Sequence, residues 1–220
     1  MNGEFLPAGG AGLPLHDAGF VFGATVTDLV RTFGRRLFRF DEHLRRFREN
    51  CAACHIALTR DDAEIRAAAC ELVEQNARAL PTGGDLGLIL FATPGPIGFY
   101  VGEPDRVAGD DPTFGMTTFV LPFSRYRPLH FRGARLVIPE QRHAFGIPPS
   151  IKQRSRMGWW LAQQEARAAD PLAEPLLLNA RGFVTETPSA NLIAVIGGVA
   201  YTPPAGTVLP GVTLGVIREF

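Results

Sequence analysis

Lysine is almost missing from this chain. Of its 22 Lys and Arg residues only Lys152, in "PPSIKQRSRMGWW", is a lysine. A composition that leans toward Ala, Gly, Pro and Arg gives one explanation, since codon bias alone thins out lysine. Chemistry gives another: arginine is a permanent cation, whereas a desolvated lysine amine can lose its proton and attack a carbonyl. Both readings stay open until the rest of the chain is considered.

Other absences narrow the classes of function. Asp plus Glu also number 22, for a formal net charge of +0. No charge excess therefore points to nucleic acid or to a membrane surface. The apolar runs are only strand-sized, and the opening "MNGEFLPAGG" lacks the basic and then apolar plan of a secretory leader. A soluble cytoplasmic protein is expected, with no nucleic acid and no membrane among its partners. The 3 cysteines are an odd number and argue against a disulfide framework. Cys51 and Cys54 form a C-x-x-C, but it lies inside the helical pattern "HLRRFRENCAACHIAL" and has no second pair. His55 and Cys70 make poor additional ligands, so packing is the reading and no metal site is expected.

What is present is alternation of strand-like and helical segments in both halves. β-Branched and aromatic residues on either side of Gly34-Arg35, in "VFGATVTDLVRTFGRRLFRF", predict two strands joined by a tight turn. Asp41 is expected to cap a helix whose inward stripe is Leu44, Phe47, Cys51, Cys54 and Leu58. A second helix is expected from Asp61 to Leu80, with Ile65, Leu72, Val73 and Leu80 inward and Pro81 ending it. Strands follow in "DLGLILFATPG" and "FGMTTFVLPF", separated by "GEPDRVAGDDP". "SRYRPLHFRG" reads as a linker. Beyond it come a strand in "ARLVIP", a helix in "RSRMGWWLAQQEARAA", and strands punctuated by Asn-Ala-Arg-Gly and Gly-Gly turns. "LPGVTLGVIREF" begins a last helix, with Leu214, Ile217 and Phe220 on one face. The expected class is α/β (α+β) in two domains: a smaller one over 1–124 and a second over 125–220, which the break after this helix makes look incomplete.

Lys152, Glu186 in "VTETPSAN", Arg46 in "DEHLRRF" and the loop "LPGVT" each have an ordinary structural explanation when taken singly. Together, in this order and spacing, they resemble the fold type IV pyridoxal-phosphate enzymes. That family contains the branched-chain and D-amino-acid aminotransferases and aminodeoxychorismate lyase. "NGEF", "LHDAGFVFGATV", "RLFRFDEHLRRF", "IKQRSRMGWWLAQQEA" and "GFVTETPSANL" all take part, so the resemblance runs from about Asn2 to the end.

The resemblance implies pyridoxal 5′-phosphate as cofactor, attached as an imine to Lys152, which is both anchor and general base. It gives Glu186 the cofactor's pyridine nitrogen, and Arg46 the phosphate together with the backbone N–H groups of Val212 and Thr213. Ser189 and Ala190 are expected on a loop near the cofactor. The implied reaction is amino transfer between an α-amino acid and an α-keto acid, in a homodimer. A lyase of the aminodeoxychorismate type and a shortened, non-catalytic cofactor binder are the alternatives.

The chain departs from the family pattern in two places. Thr27 and Asp28 stand where many members have an aromatic residue followed by Glu, and Ser155 stands where an Asn is common. "LILFATPGPIGFY" contains no arginine to hold a D-amino-acid carboxylate, which favours a branched-chain-like substrate.

Overall fold

Strand β1 (Val26–Phe33) is the centre of the first half of the molecule. It turns through Gly34 and Arg35, both at positive φ, into the short strand β2 (Arg36–Leu37). The pairing of Phe33 with Arg36 leaves a two-residue hairpin loop, the geometry that needs positive φ at both positions. Strands β3 (Leu86–Thr93) and β4 (Thr113–Val120) complete an antiparallel sheet of order β2-β1-β3-β4.

The sheet's register decides which residues share a face. Val26 lies opposite Ala92, Val30 opposite Leu88, and Phe114 also opposite Ala92. These residues form one core with Leu44, Phe47 and Cys51 of helix α2 (Phe40–Ala53) and with Ile65 and Ala69 of helix α3 (Asp62–Ala77). Leu72 packs at its margin, as the helical spacing predicts; Cys54 and Leu58, expected on the same stripe of α2, also pack there but lie beyond the helix, which ends at Ala53. A short helix, α1 (Ala18–Val21), precedes the sheet and is capped by the Asp17 side chain.

Asp61 caps α3 in a capping box with Glu64, but the start of α2 differs from the sequence reading. Helix α2 begins at Phe40 behind a left-handed Arg39, and the side chain of Asp41 is not its cap. Asp41 and Glu42 occupy the first turn instead, where negative charge complements the helix N-terminus.

The structure, a computed structural model, describes residues 1–81, 83–106, 109, 111–140 and 147–220. Positions 107, 108 and 110 of the loop between β3 and β4 lie outside them. The chain divides into two units: Met1–Leu121 with Lys152–Ser155, and Pro122–Ile151 with Arg156–Phe220. The segment 152–155 thus belongs to the first unit, whereas the sequence reading placed Lys152 in the second.

The second unit opens with a correction. The stretch read as a linker is helix α4 (Phe123–Arg132), with Pro128 inside it and Gly133 at its end. None of its residues is buried, so no apolar stripe announces the helix, and Pro128 removes one backbone donor where solvent surrounds it. Strands β5 (Leu136–Val137) and β6 (Glu174–Pro175) pair in parallel across helix α5 (Met157–Ala169). Strands β7 (Ala194–Ile196) and β8 (Val199–Tyr201) form a hairpin about Gly197-Gly198. Helix α6 (Val212–Arg218) buries Leu214 but leaves Ile217 and Phe220 exposed. Among the described residues no helix is long and apolar enough to cross a membrane.

Cys51 sits in the core at 1% exposure, and burial pushes its thiol up to about 12. The C-x-x-C is therefore held as packing, with its inner thiol far from the thiolate form that reacts. Iodoacetamide at about pH 8 is expected to label exposed Cys70 and to spare Cys51 until the protein unfolds. Peptide mass mapping reads the ratio, and fast labelling of Cys51 in the native protein would mean that the α2 core opens.

Candidate functional site

In the first unit, Lys152 is fixed through its backbone. Its carbonyl accepts from Thr27 N–H at 2.9 Å, and Arg154 N–H donates to Thr25 O at 2.9 Å. Between these two bonds Gln153 forms an antiparallel bridge with Val26. The segment is thereby a short extra strand on the start of β1. The Lys152 N–H donates to Asn50 Oδ1 at 2.6 Å, and Ser155 Oγ donates to Gly23 O at 2.6 Å. Ser155 thus holds the turn before β1 with its hydroxyl.

Asn50 is a residue beside Lys152 that the sequence reading missed. It lies on α2 one turn beyond Arg46 and is 6% exposed. His43, Arg46 and Asn50 follow helical spacing and are all buried, forming a polar stripe beside the apolar one of Leu44, Phe47 and Cys51. That pattern is the signal that could have found it.

Arg46 is held by a carboxylate from β1. Its Nε donates to Asp28 Oδ2 at 2.9 Å and its Nη2 to Asp28 Oδ1 at 2.7 Å, a bidentate fork. His43 Nδ1 lies 2.8 Å from the same Oδ1. An ionised carboxylate only accepts, so Nδ1 carries the imidazole proton in this pairing. Asp28 is fully buried, which opposes its ionisation; the hydrogen bonds from His43 and Arg46 outweigh burial and hold its carboxyl below its ordinary value.

The second unit gathers the remaining predicted residues. Glu186 is 7% exposed. Its backbone carbonyl accepts from Leu177 N–H at 3.0 Å, and Thr185 returns N–H and hydroxyl bonds to Leu177 O. Its carboxylate accepts from Asn191 Nδ2 at 3.0 Å and from Leu209 N–H at 3.2 and 3.3 Å. Ser189 and Ala190 lie in the exposed turn after it, and both N–H groups donate to Thr187 Oγ1. Gly211 is the N-cap of α6, which puts Val212 and Thr213 at its first two positions. N–H groups there have no acceptor within their own helix.

The structure therefore places Lys152 and Arg46 on the elements around β1, and Glu186, Ser189, Ala190, Val212 and Thr213 on the connected loops of the second unit. As a donor set these residues fit an aldehyde-bearing pyridine phosphate. The chain offers one lysine amine, a carboxylate for a ring nitrogen, and guanidinium and backbone N–H donors for a phosphate.

Comparison with known proteins follows the same outline. The family model for amino-transferase class IV matches residues 25–220. D-alanine aminotransferase of Bacillus licheniformis is 27% identical over 214 residues, covering 97% of this chain and 71% of the relative. Among solved structures, the branched-chain amino acid aminotransferase of Escherichia coli superposes with a TM-score of 0.86 at 21% identity, covering 99% of this chain and 71% of its own. A second branched-chain amino acid aminotransferase, the T.th. enzyme solved with pyridoxamine 5′-phosphate, gives 0.83 at 24% identity, covering 100% and 71%.

Asp28 supplies a pH signature. Its folded value is depressed, so its contribution is complete above the ordinary carboxylate value of 3.8 and is lost as pH falls through the folded value. At neutral pH, Asp28→Asn is expected to cost about 3–5 kcal/mol of unfolding free energy, because it takes the bidentate carboxylate from a buried guanidinium. Urea titrations should show the gap between the two proteins constant above pH 3.8 and narrowing below it. A gap that does not change with pH would mean that the pair does not set the acid limit.

Proposed function

The chain belongs to the class IV aminotransferase family, and on that premise we propose that it binds pyridoxal 5′-phosphate on Lys152 and transfers an amino group between an α-amino acid and an α-keto acid. The observation that carries this reading is the fixing of the only lysine. Its backbone is bound on one side to β1 and on the other to Asn50, on the helix that also bears Arg46. A lysine kept for bulk charge needs no such anchorage.

The residues have separate tasks in this reading. Lys152 Nζ would hold the cofactor through its carbonyl carbon and, when displaced by an incoming amine, would serve as the base that moves the proton from the substrate α-carbon to that carbonyl carbon. Glu186 would accept a hydrogen bond from the protonated pyridine nitrogen, and Asn191 and Leu209 donate to its carboxylate and hold its orientation. Arg46 answers the phosphate with a guanidinium whose orientation Asp28 sets. The N–H groups of Val212 and Thr213 and the Thr213 hydroxyl add neutral donors. When bound, the cofactor supplies a ring that stores the electron pair left on the α-carbon. Ser189 and Ala190 line the approach to the ring. The same reading carries a homodimer and amino-acid and keto-acid substrates.

A branched-chain-like substrate is the form that the residues favour. The stretch from Leu88 to Tyr100 supplies Phe91, Ile97 and Phe99 and contains no arginine to pair with a carboxylate. An apolar side chain is what such a surface accepts without desolvating a charge.

Borohydride reduction of the protein with pyridoxal phosphate, followed by peptide mapping, is expected to fix the cofactor on the peptide bearing Lys152. Lys152→Ala should take none. In single-turnover mixing with the loaded protein, L-leucine or L-valine should convert the aldehyde to the amine form faster than D-alanine does. No adduct on folded protein would overturn the reading, and a preference for D-alanine would overturn the substrate class alone.

A further inference from the structure

We propose that Asn191 is a positioning residue that couples the orientation of the Glu186 carboxylate to the loop Leu209–Gly211 at the start of α6, so that one amide sets both. This rests on the function proposed above, because it assigns Glu186 and α6 to the same cofactor.

The amide is committed on both sides. Asn191 Nδ2 donates to Glu186 Oε2 at 3.0 Å and to Leu209 O at 2.9 Å. Both partners are acceptors, so the orientation is fixed by chemistry: the flipped amide would set its oxygen against a carboxylate and a carbonyl. Leu209 closes the circuit, since its own N–H donates to the Glu186 carboxylate at 3.2 and 3.3 Å. The Leu209 carbonyl also accepts from Gly211 N–H at 2.8 Å, and Gly211 caps the helix bearing Val212 and Thr213.

Gly211 shows how tightly the amide is seated. A Cβ built on Gly211 would collide with Asn191 Oδ1. The oxygen sits at the end of a short side chain, but moving it would break both Nδ2 bonds. Glycine at 211 and asparagine at 191 therefore form one unit: the absence of a side chain at 211 admits the amide, and the amide holds the loop.

The backbone around Glu186 is secured separately through Leu177, so the amide acts on the carboxylate and the loop while the strand is held without it. Removing the two donors should release both without unravelling the fold. In Asn191→Asp the shape is kept, the donors are lost, and a second carboxylate faces the first.

The test uses the whole chain loaded with cofactor, after adduct mapping on the unmutated protein has established attachment to Lys152. Asn191→Asp is expected to slow the single-turnover amino-donor reaction by about tenfold or more. It should also lower the ratio of affinities for pyridoxal phosphate over pyridoxal several-fold, because the phosphate-facing loop is loosened. In a Glu186→Ala background the same substitution should leave the rate within about twofold yet still lower that ratio, which separates the two arms of the coupling. Gly211→Ala approaches the amide from its other side and is expected to move both readouts in the same direction, so it serves if Asn191→Asp fails to fold.

A purely structural role would lower the affinities for both aldehydes in parallel and add its rate loss unchanged to that of Glu186→Ala; either result overturns the inference. Wild-type behaviour of both variants also overturns it and leaves the proposed function standing. A missing adduct on the unmutated protein overturns the function itself.

Discussion

The bridge between Gln153 and Val26 is the contact on which the first unit's part of the site depends. It joins residues far apart in sequence, and the loop entropy of that closure grows only slowly with length. Two flanking backbone bonds at 2.9 Å, the Asn50 side chain and the Ser155 hydroxyl oppose that cost within four residues. The consequence is a rigid backbone under a flexible side chain. The imine role proposed for Lys152 would draw on this combination: rotatable methylene groups on a fixed base.

β1 serves two sides at once. One edge of its first residues receives the 152–155 segment, while Asp28 and Val30 point from the same strand toward α2. Burying Asp28 and Arg46 together desolvates two charges, and their mutual attraction repays this because the contact is bidentate and both His43 and the Leu29 N–H also donate to Oδ1. An apolar pair would pack there with less penalty. The ion pair ties the orientation of the guanidinium on α2 to a carboxylate on β1.

Much of this was legible in the sequence because it has a period or a chemistry of its own. The stripe of Leu44, Phe47 and Cys51 follows from spacing, the Gly34-Arg35 and Gly197-Gly198 turns from residue type, and Lys152 from being the one amine. Asn50 was legible only through its helical spacing from His43 and Arg46, and Asn191 was not legible. An amide side chain announces no reaction, and its role depends on partners that are distant in the chain, as Lys152 is from Asn50. Helix α4 was missed because Pro128 reads as a breaker and no buried stripe contradicts it. The attachment of 152–155 to the first unit was hidden for a similar reason, since so short a strand has no periodicity to detect. The Asp41 cap failed because a left-handed Arg39 starts the helix two residues earlier, which no propensity encodes.

The two units fix their charged residues by opposite means, and the difference bears on the scarcity of lysine. The Glu186 carboxylate accepts from the neutral N–H donors of Asn191 and Leu209. Arg46 is held by a carboxylate, so the pair it forms with Asp28 carries no net charge. Attraction of such a pair for a phosphate comes from the placement of donors rather than from bulk positive potential. A guanidinium has five N–H groups, and the Asp28 fork engages two of them; an ammonium has three, and spending two on a carboxylate would leave it without a planar edge to present. Arginine at 46 and lysine at 152 are thus not interchangeable in either direction. In the proposed function the first position requires directed donors that survive pairing with a buried carboxylate, and the second an amine that can give up its proton.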